Sequence, residues 1–290
     1  MGQRAFVGKV CMDLNNLFPT YKEQLCESVC ETRRFVTELT GRMYPLVKPI
    51  VTPRFVPSCS SELMQQLGSY ANSEGLHIQS HISESRAEVE LVKSLFPDCK
   101  NYTDLYDRHS LLTDKTIMAH GVYLSNEELK VFQQKGAAIS HCPNSNISLS
   151  SGLFDVRNAL NHNVKVGLGT DVSGGYSPSI LNAMRTAIDT IKIHSFQTSN
   201  YERLSYQEIF KLATLGGCQA LGLDNVTGNF EVGKDFDAIL VNTNVPNSPF
   251  DIFPDDTQED IFQKFLNLGD DRNMVEVYVA GKKVVPFPNA

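Results

Sequence analysis

The stretch Leu76-His77-Ile78-Gln79-Ser80-His81-Ile82-Ser83-Glu84 decides the fold, because its two histidines are compatible with either a helix or a strand. On a helix, residues four apart share a face, so His77 and His81 would be placed to bind one metal ion. However, apolar residues at 76, 78 and 82 alternate with polar residues at 77, 79 and 81, which is the period of a strand. On a strand the two histidines lie about 13 Å apart at ~3.3 Å per residue, whereas zinc–nitrogen bonds are ~2.0–2.1 Å long. At most one of them is therefore a ligand of any single ion.

Outward from this stretch, short apolar runs that predict strands alternate with amphipathic segments that predict helices. The predicted strands are 4–12, 47–52, 76–81, 116–120, 137–141 and 164–169. The predicted helices are 23–40, 60–73, 86–95, 126–135, 153–161, 179–194 and 206–215. Such alternation predicts an α/β fold with a parallel sheet and right-handed crossovers. A doubly wound sheet and a (β/α) barrel both fit this pattern.

Polar side chains stand at the carboxyl end of one predicted strand after another. They are Arg54, His81, His120, His141 and Asp171. In a (β/α)8 barrel that end carries the active site, built from several strands at once. A doubly wound sheet has a single switch point, usually with a glycine-rich phosphate loop, and the sequence contains no GxGxxG or P-loop motif. We therefore predict a barrel, with His81 as the metal-ligand candidate and His77 as a packed or hydrogen-bonded interior histidine.

The last part of the sequence has a different pattern from the rest. From Gly228 it consists of short strand-like runs and turns, with later strand candidates at 274–279 and 283–285. The segment 246–258 is rich in Pro and Asp and is predicted to be a loop. We expect a barrel domain over 1–225 and a small β segment over 226–290, with the boundary near 224–228.

Composition limits the classes of partner and compartment. The 290 residues carry a formal net charge of -7 and no block of basic residues, which disfavours nucleic acid and acidic membranes as partners. The 7 cysteines are scattered and form no CxxC pair, a pattern typical of free thiols in a reducing, cytoplasmic compartment. No apolar run approaches the ~20 residues that span a bilayer.

Four residues near the predicted strand ends could share one catalytic metal site. They are His81, Glu84, His120 and Asp171. Histidine and carboxylate bind zinc, which lowers the pKa of a bound water to about 7, and a glutamate that is not a ligand can move protons. Taken singly, a histidine at a strand end is more often structural, and a Gly-Thr-Asp sequence is more often an ordinary turn. Asn144 and Asn146 either line the pocket or are turn residues after Pro143.

Several longer strings resemble the amidohydrolase superfamily in its deaminase and chlorohydrolase branch. They are Gln79-Ser80-His81-Ile82-Ser83-Glu84, Met118-Ala119-His120-Gly121, Ser140-His141-Cys142-Pro143-Asn144-Ser145-Asn146 and Gly167-Leu168-Gly169-Thr170-Asp171. In the tail, Gly233-Lys234-Asp235-Phe236-Asp237-Ala238-Ile239-Leu240 is similar to the return of that family's β-sandwich. Two further strings, Val51-Thr52-Pro53-Arg54-Phe55 and Leu268-Gly269-Asp270-Asp271-Arg272-Asn273, are similar to those of members that deaminate guanine. The fold implied is a (β/α)8 barrel with a C-terminal β-sandwich segment.

The resemblance implies a function and a role for each site residue. The activity implied is zinc-dependent hydrolysis of guanine to xanthine and ammonia, in purine catabolism, by a homodimer that binds one zinc per chain. The implied zinc ligands are His81 and Asp171. The implied catalytic residues are Glu84 as proton shuttle, His120 in contact with the attacking water, and Asp171. The implied substrate-binding residues are Arg54, Phe55, His81, Glu84 and Asp171. Without the resemblance, the favoured interpretation of Arg54 is a surface salt-bridge residue and that of Phe55 is an ordinary core residue.

The chain departs from the family's pattern in its metal site and strand count. The family's site also has a His-x-His pair, and the histidines at 77, 81, 109, 120, 141, 162 and 194 contain no such pair. About six βα units are predicted, where a closed barrel has eight. We therefore expect the chain to lack the early sandwich strands and the first two βα units, as a splice form, an alternative start or a fragment, and to bind zinc weakly. Two alternatives stay open: a non-catalytic form acting through dimer contacts, and an amidohydrolase acting on another heterocycle.

Overall fold

A parallel sheet forms the centre of the computed structural model, which describes residues 2–15 and 18–286. The predicted alternation of strand and helix is confirmed. The strands of this sheet are β1 (Ala5–Val7), β2 (Val10–Cys11), β3 (Val47–Pro53), β4 (His77–Ile82), β5 (Thr116–His120), β6 (Ala138–His141) and β7 (Lys165–Leu168).

The strand order follows the chain order. Both β1 and β2 pair with β3, and β3, β4, β5, β6 and β7 then pair in sequence, every pair being parallel. This is the order of a (β/α) barrel, and the sheet curls into part of one. Among the described residues β7 and the β1–β2 side remain as two open edges. The fold-class prediction, an incomplete barrel with a small C-terminal β segment, is confirmed.

The predicted single strand 4–12 is wrong in one respect, because it is divided at Gly8 and Lys9 into β1 and β2. A Cβ atom on Gly8 would lie only 1.9 Å from the Oγ1 of Thr52. The backbone at Gly8 therefore approaches β3 more closely than any other residue type would allow. β1 pairs with the start of β3 and β2 with its end, on either side of this close approach.

Most helices follow the strands as predicted. The helices are α1 (Leu25–Gly41), α2 (Ser61–Ser73), α3 (Arg86–Leu95), α4 (Tyr102–Arg108), α5 (Asn126–Lys135), α6 (Pro143–Ser148), α7 (Val156–Asn161), α8 (Ile180–Gln197), α9 (Tyr206–Lys211), α10 (Gly217–Ala220) and α11 (Gln258–Leu268). A π-helical turn, Leu212–Gly216, joins α9 to α10, whereas the sequence predicted one continuous helix over 206–215. The helices α4, α6, α10 and α11 were not predicted.

The two faces of the sheet have different neighbours. One face packs against the helices, and Ile78, Ile82, Met118, Ile139 and Val166 are buried there in the hydrophobic core. The other face opens into a groove of about 970 Å³. Its lining from the strands includes Ile50, Thr52, Gln79, Ile117 and Ala119. This groove ends at the carboxyl edge of the sheet, where the candidate site lies.

The tail forms a second, antiparallel sheet, with the order β10 (Lys282–Val285), β9 (Met274–Val279), β8 (Ala238–Val241). Between β8 and β9 the chain makes α11, which packs against α8. Arg185 on α8 donates hydrogen bonds to the main-chain oxygens of Leu266 and Gly269 at 2.7 Å and 2.5 Å. The tail is therefore held against the barrel helices.

The residue that precedes β1 also forms hydrogen bonds with the tail. Arg4 donates from Nε to Asp237 at 2.6 Å and from Nη2 to Asp235 at 2.5 Å. The guanidinium is only partly exposed, and these two carboxylates hold the pKa of Arg4 above its ordinary value. Within the described residues, no helix is both long and apolar enough to cross a membrane.

Candidate metal and catalytic site

Three potential metal ligands converge at the carboxyl edge of the parallel sheet. His81 is in β4, His120 is the last residue of β5, and Asp171 lies three residues after β7. One ligand atom from each lies within 4.8 Å of those of the other two. Because parallel strands end at one edge, side chains separated by tens of residues meet there. The predicted clustering of His81, His120 and Asp171 is therefore present in the structure.

His81 is oriented by a backbone oxygen. Its Nδ1 lies 2.7 Å from the carbonyl oxygen of Arg54, which can only accept, so Nδ1 carries the proton and donates. The other ring nitrogen, Nε2, is left with a free lone pair. Burial lowers the pKa of His81, which favours the neutral imidazole that a metal ion requires. The hydroxyl of Tyr106 donates to the His81 carbonyl at 2.7 Å and holds the backbone.

His120 lies between the two carboxylates. Its side chain is 1% exposed, and its Nε2 is 3.6 Å from Glu84 and 3.9 Å from Asp171. The other nitrogen, Nδ1, is 2.9 Å from the Oδ1 of Asn146. The rings of His81 and His120 stack with their centroids 5.4 Å apart. The sequence assigned His120 to contact with water, and its position also allows it to be a third ligand.

Glu84 is held in the turn between β4 and α3. Ser151 donates from Oγ to its Oε1 at 3.1 Å. Its backbone N–H donates to Glu88 at 2.9 Å, and Glu88 accepts a second hydrogen bond from the Tyr102 hydroxyl at 2.8 Å. Burial raises the pKa of Glu88. The side chain of Glu84 is 25% exposed, and its other oxygen, Oε2, faces His120 at 3.6 Å.

Asp171 sits in a tight loop after β7. Its backbone has a positive φ of 47° and its carbonyl accepts from the N–H of Gly175 at 2.8 Å. A Cβ atom on Gly174 would lie 2.5 Å from the Oδ2 of Asp171 and 3.0 Å from the Oγ of Ser145. The glycine therefore leaves the space that the carboxylate occupies.

The donor set fits a zinc ion. Catalytic zinc sites commonly use three protein ligands, from histidine nitrogen and carboxylate oxygen, and keep a further position open. His81, His120 and Asp171 supply that number and kind of donor, and the hydrogen bond from His81 Nδ1 leaves its Nε2 available. Within the described residues these are the three side chains that meet the geometry of a metal cluster.

The two residues predicted to hold the substrate lie next to the cluster but outside the groove lining. The guanidinium of Arg54 lies 5.7 Å from the centre of the Phe55 ring. Arg54 is exposed and Phe55 partly exposed, and neither lines the groove that His81 and Asp171 line. The clear contribution of Arg54 to the site is its carbonyl oxygen. The role of the Arg54 side chain in substrate binding stays a prediction.

Two other histidines at the strands are structural. His77 Nε2 lies 3.0 Å from the Leu221 carbonyl and its ring packs against Phe6, so the prediction of an interior histidine is confirmed. His141 is fully buried against Phe154, and neither of its ring nitrogens has a hydrogen-bond partner. This burial lowers the pKa of His141 to about 3. His141 lies outside the ligand cluster although it ends β6.

Sequence reasoning missed the residues that support the cluster. Ser151 bonds Glu84, and Tyr106 bonds the backbone of His81. Asn146 was left between two interpretations, and its contact with His120 favours the pocket. By contrast Asn144 bonds Asn182 and the N–H of Tyr176, which is a structural role. The sequence signal for Asn146 was its position at the end of the family-like string 140–146, which begins in β6.

A sequence model of the amidohydrolase family matches residues 1–284. The chain belongs to the amidohydrolase family. This membership accounts for the barrel order of the strands and for the metal-ligand types at their carboxyl ends. The sequence contains no His-x-His pair, and His120 is the candidate for a third ligand in the described cluster.

Curated relatives of this chain cover all or nearly all of it. It is 59% identical to guanine deaminase of Mus musculus over 293 residues, covering 100% of this chain and 64% of that protein. It is 33% identical to guanine deaminase of Escherichia coli over 290 residues, covering 98% of this chain and 63% of that protein. The chain therefore spans less than two thirds of the length of these relatives.

Solved structures of guanine deaminases are also similar to this chain. The guanine deaminase of C. acetobutylicum with bound guanine superimposes with a TM-score of 0.89 at 37% identity, covering 97% of this chain and 65% of that one. An E. coli guanine deaminase superimposes with a TM-score of 0.84 at 31% identity, covering 96% and 62%. The fold of this chain is therefore similar to that of these two guanine deaminases over the part that superimposes.

Proposed function

We propose that this chain acts by zinc-dependent hydrolytic deamination, converting guanine and water to xanthine and ammonia. The observation that carries the proposal is the convergence of His81, His120 and Asp171 within 4.8 Å, with Glu84 beside them. The similarity to guanine deaminases over the length of the chain supports guanine as the substrate.

In this proposal zinc is held by His81 and Asp171, with His120 as a third ligand or as the residue that orients water. Zinc, when bound, lowers the pKa of water to about 7 and so makes a nucleophile available at neutral pH. The hydrogen bond from His81 Nδ1 to Arg54 keeps the ligand nitrogen facing the site, as a second layer of contacts does in metal proteins.

Glu84 moves the protons. One oxygen is held by Ser151, and the other lies 3.6 Å from His120. Attack of water at the amino-bearing ring carbon places charge on the adjacent ring nitrogen. Glu84 takes one proton from the attacking water and delivers it to that ring nitrogen. It then takes the second proton from the hydroxyl now on the ring carbon and delivers it to the amino group, so that the carbonyl of xanthine forms as the C–N bond breaks and ammonia departs.

The purine lies in the groove beside the cluster. Two residues outside the groove lining would reach the purine: Phe55, an aromatic ring on which a base can stack, and Arg54, a planar guanidinium whose donors match the acceptors of guanine. Both require a side-chain rotation toward the groove, because neither lines it and the guanidinium of Arg54 lies over the ring of Phe55.

Three further assignments are part of the same proposal. The barrel domain covers 1–225 and the β-sandwich segment 226–290, supported by the three strands of the antiparallel sheet after residue 226. A homodimer is proposed from the family resemblance. A cytoplasmic location is supported by the cysteines, all seven of which are unpaired.

The first experiment measures zinc per chain and xanthine formation on the same purified sample. About one zinc per chain and turnover of guanine support the proposal. Zinc without turnover of guanine, but with turnover of adenine, cytosine or a triazine, supports an amidohydrolase with another substrate. A folded sample without zinc, which co-purifies with a full-length relative and has no activity, supports the non-catalytic form.

A further inference from the structure

The orientation of His120 depends on one side chain. The ring has a single polar partner on its Nδ1, the Oδ1 of Asn146 at 2.9 Å. Both side chains are 1% exposed, so water does not compete for this hydrogen bond. An amide oxygen accepts only, so Nδ1 must carry the proton, and Nε2 then presents a lone pair to the site.

We propose that Asn146 is a positioning residue that sets the tautomer and direction of His120. This inference rests on the proposed function.

The backbone of Asn146 is held at both of its polar atoms. Its N–H donates to the Cys142 carbonyl at 3.0 Å within α6, and its carbonyl accepts from the N–H of Ser151 at 2.8 Å. The side chain therefore projects from a defined point toward His120. Ser151 is also the residue that bonds Glu84, so one short segment after β6 orients two members of the site.

The amide of Asn146 decides between two chemical roles for His120. With Oδ1 toward the ring, Nε2 is a base that can bind a metal ion or accept from water. With the amide reversed, its NH₂ group donates to Nδ1, and the proton moves to Nε2. That proton would then face Glu84 and Asp171, 3.6 Å and 3.9 Å away, and Nε2 could not be a ligand. In the described structure Oδ1 faces the ring, and the amide nitrogen is buried without a hydrogen-bond partner.

Asn144 provides a matched control on the same helix. It is 2% exposed, and its side chain bonds Asn182 at 2.9 Å and the N–H of Tyr176 at 2.8 Å. Replacing either asparagine with alanine removes a buried amide from α6. Only Asn146→Ala removes the partner of His120.

The test measures zinc affinity of the full chain by competition with a chromophoric chelator. We expect Asn146→Ala to weaken zinc binding by roughly 10–100-fold, the usual effect of losing a contact behind a ligand. Asn146→Asp should retain affinity within a few fold, because a carboxylate also accepts from Nδ1. Asn144→Ala should retain it even where its melting temperature falls as far as that of Asn146→Ala. Equal zinc affinity in Asn146→Ala and the parent chain, or an equal loss in Asn144→Ala, would overturn the inference.

A second measurement decides the inference independently of zinc. ¹⁵N NMR of the histidine rings in the metal-free chain reports which nitrogen carries the proton. We expect His120 to be protonated at Nδ1 in the parent chain and in Asn144→Ala, and to lose this preference in Asn146→Ala. Protonation at Nε2 in the parent chain contradicts it. A parent chain that binds no zinc but shows the Nδ1–H tautomer contradicts the proposed function while supporting the role of Asn146.

Discussion

His81 donates from Nδ1 to the main-chain oxygen of Arg54 across 2.7 Å, so the residue after β3 orients a ligand candidate in β4 through its backbone alone. The same oxygen also accepts from the Ser80 hydroxyl at 3.1 Å. The side chain of Arg54 is therefore free for another purpose.

Arg54→Ala should leave zinc affinity unchanged and raise the KM for guanine. The carbonyl that holds His81 is retained, whereas the loss of a charged hydrogen bond, worth ~1.5–3 kcal/mol, corresponds to roughly 10–100-fold in KM. Zinc competition and steady-state kinetics measure the two quantities. Arg42→Ala, an exposed arginine beside Tyr44, is the control and should change neither. Loss of zinc in Arg54→Ala would show that the side chain supports the metal site.

Glu84→Gln should lower kcat by roughly 10²–10⁴-fold, the usual contribution of a positioned acid–base group, with little change in zinc content. The amide keeps the hydrogen bond from Ser151 but cannot carry a proton between water and the ring. Xanthine formation under saturating guanine measures kcat. Glu90→Gln, on the exposed side of α3, should behave as the parent chain. Unchanged turnover in Glu84→Gln would exclude Glu84 as the shuttle.

Gly174→Ala should weaken zinc binding, because its Cβ would lie 2.5 Å from the Oδ2 of Asp171. The carboxylate must then move away from the position that faces His81 and His120. Gly41→Ala is the matched change, since nothing lies within 4 Å of the added Cβ and alanine is favoured over glycine in a helix by roughly 0.5–1 kcal/mol. Zinc competition on both variants checks the expectation, and equal affinity would mean that the loop adjusts around the methyl group.

Acid should destabilise the protein partly through His141. Burial lowers its pKa in the folded state to about 3, so below the ordinary value near 6.5 the unfolded chain binds a proton that the folded protein excludes. The contribution of neutral His141 to the free energy of unfolding is fully present above pH ~6.5. It falls as the pH drops toward 3, by up to about 1.4 kcal/mol per pH unit for one proton.

Urea unfolding of the metal-free chain at several pH values measures this slope. His141→Leu should have a shallower slope between pH 6.5 and 5, because the titrating group is gone. Some slope should remain, since burial also lowers the pKa of His77 and of His81. The same slope in His141→Leu and the parent chain would mean that His141 is hydrated in the folded protein.

The barrel order was predictable because the alternation of strand and helix and the polar residues at strand ends are local signals. The meeting of His81, His120 and Asp171 followed from the rule that parallel strands end at one edge. The division of 4–12 was not predictable, since it depends on the distance from Gly8 to Thr52, a residue of another strand. The helix α11 begins with a Thr257–Asp260 capping box, a signal that was present but lay beside a segment rich in proline.

The supporting contacts of the site were less accessible to sequence reasoning. Asn146 and His120 are 26 residues apart, and no period or spacing relates them. Whether an asparagine after a strand bonds a backbone or a distant ring depends on the path of α6. Likewise, the third-ligand position of His120 depends on distances to Glu84 and Asp171 that only the folded chain defines.

The ion pairs of Arg4 have a consequence for the order in which the chain is assembled. Arg4 and Asp237 are separated by 233 positions, so a ribosome must synthesise most of the chain before this guanidinium meets its carboxylates. Contacts of such long separation form slowly, because the intervening loop has to close first. During synthesis the central strands can therefore pair with partners that are near in sequence before Arg4, next to β1, forms its ion pairs. Among the described strands, β1 is therefore one of the last to acquire its complete surroundings.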